Sequence, residues 1–316
     1  MVSMQKCGVI GVGFVGATSA FTLATSGLFS EVTLVDMNTK KAEAEAADIN
    51  HGISFSKPCF VRAGDYRDLS ECGLIVIAAG ANQKPGETRV ELLGRNRVIM
   101  KSIIESIMAV NKYAILLIVS NPVDVLTYMA QKLSGLPVGR VIGSGTVLDT
   151  ARLKYLVGQH LSVDSRNVHA FIIGEHGDSE LAVWSSANVS GVDLEDFCRI
   201  SDKDYSFGAM QRIYENVRDA AYSIIDGKGA TYYGIGLAVR RIAEAIVRDE
   251  HSVLPVSSLI SGHYGVDNLC LGLPAVVGRN GVESVLDIPL SYEELEQLQS
   301  SAQKLRALID ELEDAK

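Results

Sequence analysis

An α/β fold, a doubly wound parallel sheet followed by an α+β substrate domain with antiparallel sheet, is predicted by three observations. A β-branched strand runs into a glycine-rich turn and a small-residue helix between residues 6 and 24. Strand-like and helix-like periodicities then alternate to residue 143, as a parallel sheet requires when its crossovers are helices. Beyond residue 252 short apolar runs are joined by glycine-bearing turns, the pattern of antiparallel strands.

The chain has 316 residues, 47% of them hydrophobic, enough for one large core or two ordinary domains. We expect a dinucleotide-binding domain over residues 1–143 and a substrate domain over 144–316. A net charge of −9 argues against a nucleic-acid surface or an anionic membrane as the main partner, since both attract clustered Lys and Arg. The five cysteines are scattered, with no CxxC pair and no histidine at metal-ligand spacing. They read as buried thiols in a reducing compartment, and a cytoplasmic protein without a bound metal is expected. No apolar run approaches the ~20 residues of a membrane span.

Taken in order, Lys6 to Ile10 forms a strand that enters Gly11-Val12-Gly13-Phe14-Val15-Gly16. A lone GxGxxG is weak evidence. Here a second strand, Val32 to Val35, ends in Asp36, about twenty residues beyond the last glycine, where a Rossmann-type fold needs its ribose-binding acid. Gly11 permits the tight turn, Gly13 admits a pyrophosphate to the backbone, and Gly16 lets helix press on strand. The helix N-terminus offers unpaired N–H groups to phosphate. Asp36 accepts ribose hydroxyls and repels a 2′-phosphate, which favours NAD over NADP. Lys40 and Lys41 open a polar helix and read as a solvated face.

The strand Leu74 to Ala79 leads into Gly80-Ala81-Asn82-Gln83-Lys84-Pro85-Gly86-Glu87-Thr88-Arg89, leaving from a carboxyl end where ligands of such sheets bind. Its composition suits either a lid or a solvated loop. Asn121, after the strand Ala114 to Val119, either orients a ligand or simply forms the turn before Pro122. Asp149 and Arg152 share one face of a helix, as a surface ion pair or as a carboxylate clamp joined to a base. Val168 to Ile173 delivers Gly174-Glu175-His176-Gly177-Asp178-Ser179, in which a histidine at a strand end meets a cleft. Histidine is the side chain that titrates near neutrality and moves protons. Phe207 to Ile224 reads as one long amphipathic helix with Ala220 and Ile224 on its core stripe, and Ile235 to Ile246 as another, with Thr231 between them. Strands are expected at 253–260, 269–271, 275–277 and 282–286, then a final helix opened by the capping box of Ser291 and Glu294.

Asp36, NQKPGETR, SNPVD, LDTAR and GEHGDS, in this order and spread nearly end to end, make the chain similar to the lactate/malate dehydrogenase family, and to its bacterial L-lactate dehydrogenases in particular. The resemblance implies NAD as cofactor and pyruvate and L-lactate as substrates. His176 would be the proton donor and acceptor, Asp149 its partner, Arg152 the carboxylate clamp and Arg89 the group that polarises the carbonyl. Asn121 would orient substrate and cofactor, and Thr231 would line the pocket. Gln83 stands where malate dehydrogenases typically have an arginine for a second carboxylate; a neutral residue there favours pyruvate. The resemblance also implies a homotetramer and a fructose 1,6-bisphosphate effector at His169 and Lys154, with Lys154 replacing the usual arginine and its planar grip. A malate or bulkier 2-hydroxyacid dehydrogenase is the alternative enzyme, and a non-catalytic NAD-binding protein the alternative of another class.

Overall fold

The computed structural model describes residues 2–81 and 89–314. Its first half follows the predicted alternation: β1 (Ser3–Ile10), α1 (Phe14–Thr25), β2 (Glu31–Val35), α2 (Thr39–Ile53), β3 (Phe60–Ala63), β4 (Cys72–Ile77), α3 (Arg89–Val110), β5 (Ile115–Ile118), α4 (Val123–Ser134) and β6 (Val141–Gly143). Every pairing among these strands is parallel, in the order β3-β2-β1-β4-β5-β6. Chain order reverses between β1 and β4, so the carboxyl ends of these two strands open a crevice where a dinucleotide fits. The strands are apolar on both faces because helices cover both: β4 is buried throughout its length.

The second half comprises α5 (Val147–Leu161), β7 (Val168–Ile173), β8 (Leu181–Val189), β9 (Val192–Asp193), α6 (Leu194–Ile200), α7 (Phe207–Arg218), α8 (Ala220–Lys228), α9 (Tyr233–Val247), β10 (Ser252–His263), β11 (Val266–Gly278), β12 (Gly281–Val285) and α10 (Tyr292–Asp314). Strands β10, β11 and β12 are antiparallel, as expected, but they extend the first sheet: Ser257 of β10 pairs with Gly143 of β6, giving nine strands in one sheet. A separate sheet holds β7, β8 and β9.

Several expectations are corrected. The stripe from Phe207 to Ile224 is two helices, because Asp219 closes α7 with its backbone N–H on Glu215 while its carboxylate pairs with Arg218. Ala220 and Ile224 are not core; α8 buries none of its residues, although the apolar spacing runs on across the break. The runs at 269–271 and 275–277 belong to one strand, β11, in which Pro274 faces Pro255 across the ladder. β8 and α6 were not expected: β8 alternates serine and alanine with larger residues, a weak pattern, and one of its serines is held by Glu294 rather than by apolar contact. The capping box of α10 is present, with Ser291 N–H on Glu294 and Glu294 N–H on Ser291 Oγ.

All five cysteines are buried and unpaired. Among the described residues no helix is long and apolar enough to cross a membrane.

Candidate active site

The glycine turn shows three different demands on the same residue type. Gly11 adopts φ +88°, and a Cβ there would lie 2.6 Å from the backbone of Ala79, just beyond the end of the neighbouring β4. A Cβ on Gly16 would stand 1.7 Å from the carbonyl oxygen of Gly11, so α1 sits on the turn as closely as backbone allows. At Gly13 a Cβ would meet nothing within 4 Å. Its glycine answers no internal contact and leaves open a cradle at the N-terminus of α1, as a phosphate-binding turn requires. Asp36, at the end of β2, accepts the Val12 N–H at 2.8 Å through Oδ2 and the Asn38 N–H at 2.8 Å through Oδ1. Its carboxylate is thereby fixed beside the turn, with lone pairs left for a ribose diol. These residues fit NAD: Asp36 would take the ribose hydroxyls and the α1 N-terminus the pyrophosphate.

Loops after β4 and β5 meet at the same end of the sheet. Asn96, buried on α3, accepts the Ala81 N–H at 2.7 Å and donates to the Asn121 carbonyl at 3.1 Å. Asn121 itself is exposed at this end of the sheet. Arg89 opens α3, but its side chain, like Gln83 as a whole, lies outside the described residues. Thr231 precedes α9, where Tyr232 stacks on Phe14 of the glycine turn with ring centroids 5.4 Å apart. That contact brings the start of α9 to the start of α1, with Thr231 one residue before it.

His176 hangs from a loop clamped by separate elements. Gly174 exchanges backbone hydrogen bonds with Gly272 of β11 at 2.9 and 3.0 Å. The Glu175 N–H donates to Ser301 Oγ of α10 at 3.0 Å, and the His176 N–H donates to Asp124 of α4 at 2.8 Å. Helix α5 is docked on the strand behind the loop, because Thr146 and Thr150 bond the backbone of Ile172. This docking turns Asp149, in the first turn of α5, toward the imidazole: Oδ2 stands 2.6 Å from His176 Nδ1. Oδ1 of the same carboxylate accepts from Arg152 at 2.8 Å. Asp149 is 2% exposed, so the surface-pair reading of Asp149 and Arg152 is excluded.

The electrostatics follow from that burial. Burial opposes a charge on His176, but Asp149, with help from Asp124 and Glu180, outweighs it and raises the imidazole from its ordinary 6.5 to about 9. Burial also opposes the charge on Asp149, and His176 and Arg152 outweigh it, holding the carboxyl below its ordinary range. Asp124, also buried, is raised to about 6 by desolvation, against the pull of its hydrogen bonds. The free enzyme therefore presents a protonated imidazole at neutral pH, a quarter of it still open to the cleft.

Asp124, Ser301, Gly272 and Asn96 were not singled out from the sequence, since each acts across a long stretch of chain. Only Asp124 had a local signal, as the last residue of SNPVD. Lys154 lies half-buried on α5, with its ammonium made less basic by desolvation, and His169 is exposed on β7, the strand packed against that helix.

A dinucleotide cradle in one fold with a histidine held by a buried carboxylate, itself backed by a partly buried arginine, fits a nicotinamide-dependent dehydrogenase acting on a small anionic substrate. Residues 5–143 match the NAD binding domain of lactate/malate dehydrogenase, and residues 146–316 match the alpha/beta C-terminal domain of the same proteins. The chain is 53% identical to an L-lactate dehydrogenase of Thermoanaerobacter over 310 residues, covering 98% of this chain and 100% of that one. It is 51% identical to an L-lactate dehydrogenase of Acetivibrio thermocellus, with 98% of each covered. A solved lactate dehydrogenase from a Medee basin deep-sea metagenome library superimposes with a TM-score of 0.95 at 48% identity, covering 98% of this chain and 99% of that one. The chain belongs to the lactate/malate dehydrogenase family.

The glycine turn yields a paired test. Gly13→Ala should leave the thermal midpoint of the cofactor-free protein unchanged while weakening NADH binding about tenfold or more. Gly16→Ala should instead lower the midpoint, at a cost of about 1–3 kcal/mol from overpacking. Fluorescence titration with NADH and thermal unfolding of both variants separate the two; equal effects on stability would contradict the assignment.

Proposed function

We propose that the chain is an NAD-dependent L-lactate dehydrogenase that reduces pyruvate reversibly, with residues 1–143 carrying the cofactor and 144–316 the substrate groups. The observation that carries the reading is the buried carboxylate of Asp149, shared between His176 and Arg152. When NADH is bound it supplies the hydride. Negative charge then develops on the substrate oxygen, where the protonated His176 donates its proton and Arg89 adds positive charge. Arg152, with one nitrogen on Asp149, keeps further donors of its guanidinium fork for the substrate carboxylate. In lactate oxidation the neutral imidazole takes the proton back. Asn121 orients substrate and cofactor, and Thr231 lines the pocket.

Gln83 selects the substrate in this reading: a second carboxylate would find no cation there and would be desolvated unpaired, whereas a methyl group fits. The family match admits both lactate and malate members, and the high identity to several bacterial L-lactate dehydrogenases supports the first. We also place the protein in the cytoplasm, where five buried thiols stay reduced. A homotetramer, and a bisphosphate contact at Lys154 and His169, are proposed from the resemblance and from the packing of α5 on β7.

A spectrophotometric panel at neutral pH tests the function: NADH oxidation is expected with pyruvate, at most weakly with oxaloacetate, and weakly with NADPH in place of NADH. The pyruvate KM should fall on adding fructose 1,6-bisphosphate. Oxaloacetate preferred over pyruvate, or no oxidation with either, would overturn the reading. Gln83→Arg should shift the kcat/KM ratio toward oxaloacetate by about tenfold or more, the effect of pairing one desolvated charge; an unchanged ratio would remove Gln83 from the account.

A further inference from the structure

Asp124, in the first turn of α4, belongs to the cofactor-side half, yet its contacts serve the substrate side. It is 1% exposed, and its Oδ2 accepts the His176 N–H at 2.8 Å. Oδ1 has no hydrogen-bond partner among the described residues, and neither has the buried hydroxyl of Ser257 on β10, although that hydroxyl lies near enough to favour the carboxylate charge. The charged groups facing Asp124 are His176 and Glu175 of the histidine loop. From the sheet, β10 contributes the Ser257 hydroxyl and β11 the Cys270 thiol, which burial keeps neutral. Asn121 stands three residues earlier, its carbonyl held by Asn96 of α3.

An amide would suit these neighbours better than a carboxylate. The oxygen of an asparagine would accept the His176 N–H, and its NH2 would donate to the unpartnered Ser257 hydroxyl, with no charge to bury. The carboxylate instead leaves two buried oxygens unsatisfied. Burial, with Glu175 adding to it, raises Asp124 from its ordinary 3.8 to about 6, although Ser257 and His176 pull the other way. A carboxyl raised in the folded state contributes stability at low pH that is lost as pH rises through about 6. At neutral pH the fold therefore carries this charge at a cost in stability, which points to a purpose other than structure. The imidazole supplies that purpose: Asp124 is, after Asp149, an anion that favours its charged form.

We propose that Asp124 is a positioning residue with two separable actions on His176: one carboxylate oxygen holds the backbone of the proton donor in place from the cofactor-side half, and the negative charge, which the fold does not need, joins that of Asp149 in favouring the imidazolium. The segment that carries Asn121 thus also anchors the histidine. The inference rests on the reading of His176 as proton donor, so its test includes a readout that needs no turnover.

The imidazole titration of His176 is followed by NMR in histidine-labelled enzyme, assigned with His176→Asn, alongside the pH profile of kcat for pyruvate reduction and the thermal midpoint at neutral pH. In Asp124→Asn, which keeps the acceptor and removes the charge, both pH midpoints should fall by about 0.5 to 1 unit, and the thermal midpoint should not fall. In Asp124→Ala, which removes both, the pH midpoints should fall likewise and the plateau kcat should also drop, by about tenfold or more from misplacement of the imidazole. The Asn variant should recover much of that plateau without restoring the pH midpoints, and it carries the test by itself if the Ala variant does not fold. Unmoved pH midpoints in Asp124→Asn, or an Asn variant that unfolds more easily than the wild type, would make Asp124 a structural acid and overturn the proposal. If wild-type enzyme fails to oxidise NADH with pyruvate while the NMR midpoint shifts in Asp124→Asn, the action on His176 stands and the substrate assignment falls.

Discussion

The hydrogen bond between Asp149 and His176, 2.6 Å long and closed on its far side by Arg152, depends on long-range contacts made by α4, α5, β11 and α10. A carboxylate 2% exposed is tolerable only with cations on both of its oxygens. Placing them needs α5 docked on β7 through Thr146 and Thr150. It also needs the histidine loop pinned by β11, α4 and α10, so that the imidazole cannot swing away from its partner. In return the pair gives the cleft a histidine charged at neutral pH, which neither burial nor the side chain alone would produce.

The same logic joins the halves of the molecule. Asp124 belongs to the parallel, cofactor-side half, yet its carboxylate holds the backbone N–H of His176. β10 continues the cofactor-side sheet through its pairing with β6, and Thr146, between β6 and α5, donates its N–H to Pro255 of β10. Among the described residues, Asp149, Arg152 and His176 are built onto the edge of the same sheet that opens the dinucleotide crevice. His176 is thus tied to the strand ends of the crevice through backbone hydrogen bonds, from Gly174 on Gly272 of β11 to β10 and on to Gly143 of β6.

What could be read from the sequence was what local chemistry dictates. The spacing of Gly11, Gly13, Gly16 and Asp36 is a statement about one strand, one turn and one helix; Gly11 and Gly16 meet the steric demands of the turn, and the space beside Gly13 is open. His176 at a strand end, and Asp149 three residues before Arg152, were legible as candidates for the same reason. Their conjunction was not, because it passes through residues far away in the chain, Ser301 on Glu175 and Gly272 on Gly174 among them. Glu180 was invisible as an acid of the site, since only the fold brings it to the back of the histidine. The long stripe from Phe207 to Ile224 misled because apolar spacing survives a helix break, while burial does not.

The central claim is that the Asp149 charge keeps His176 protonated. The pH dependence of kcat for pyruvate reduction in Asp149→Asn tests it most directly. In the wild-type enzyme reduction needs the imidazolium, so the rate should fall as pH rises through about 9. With a neutral amide at 149 the fall should begin near the ordinary histidine value of about 6.5, with kcat reduced by about 10²-fold or more. A profile in the variant that still breaks where the wild type does would contradict the account.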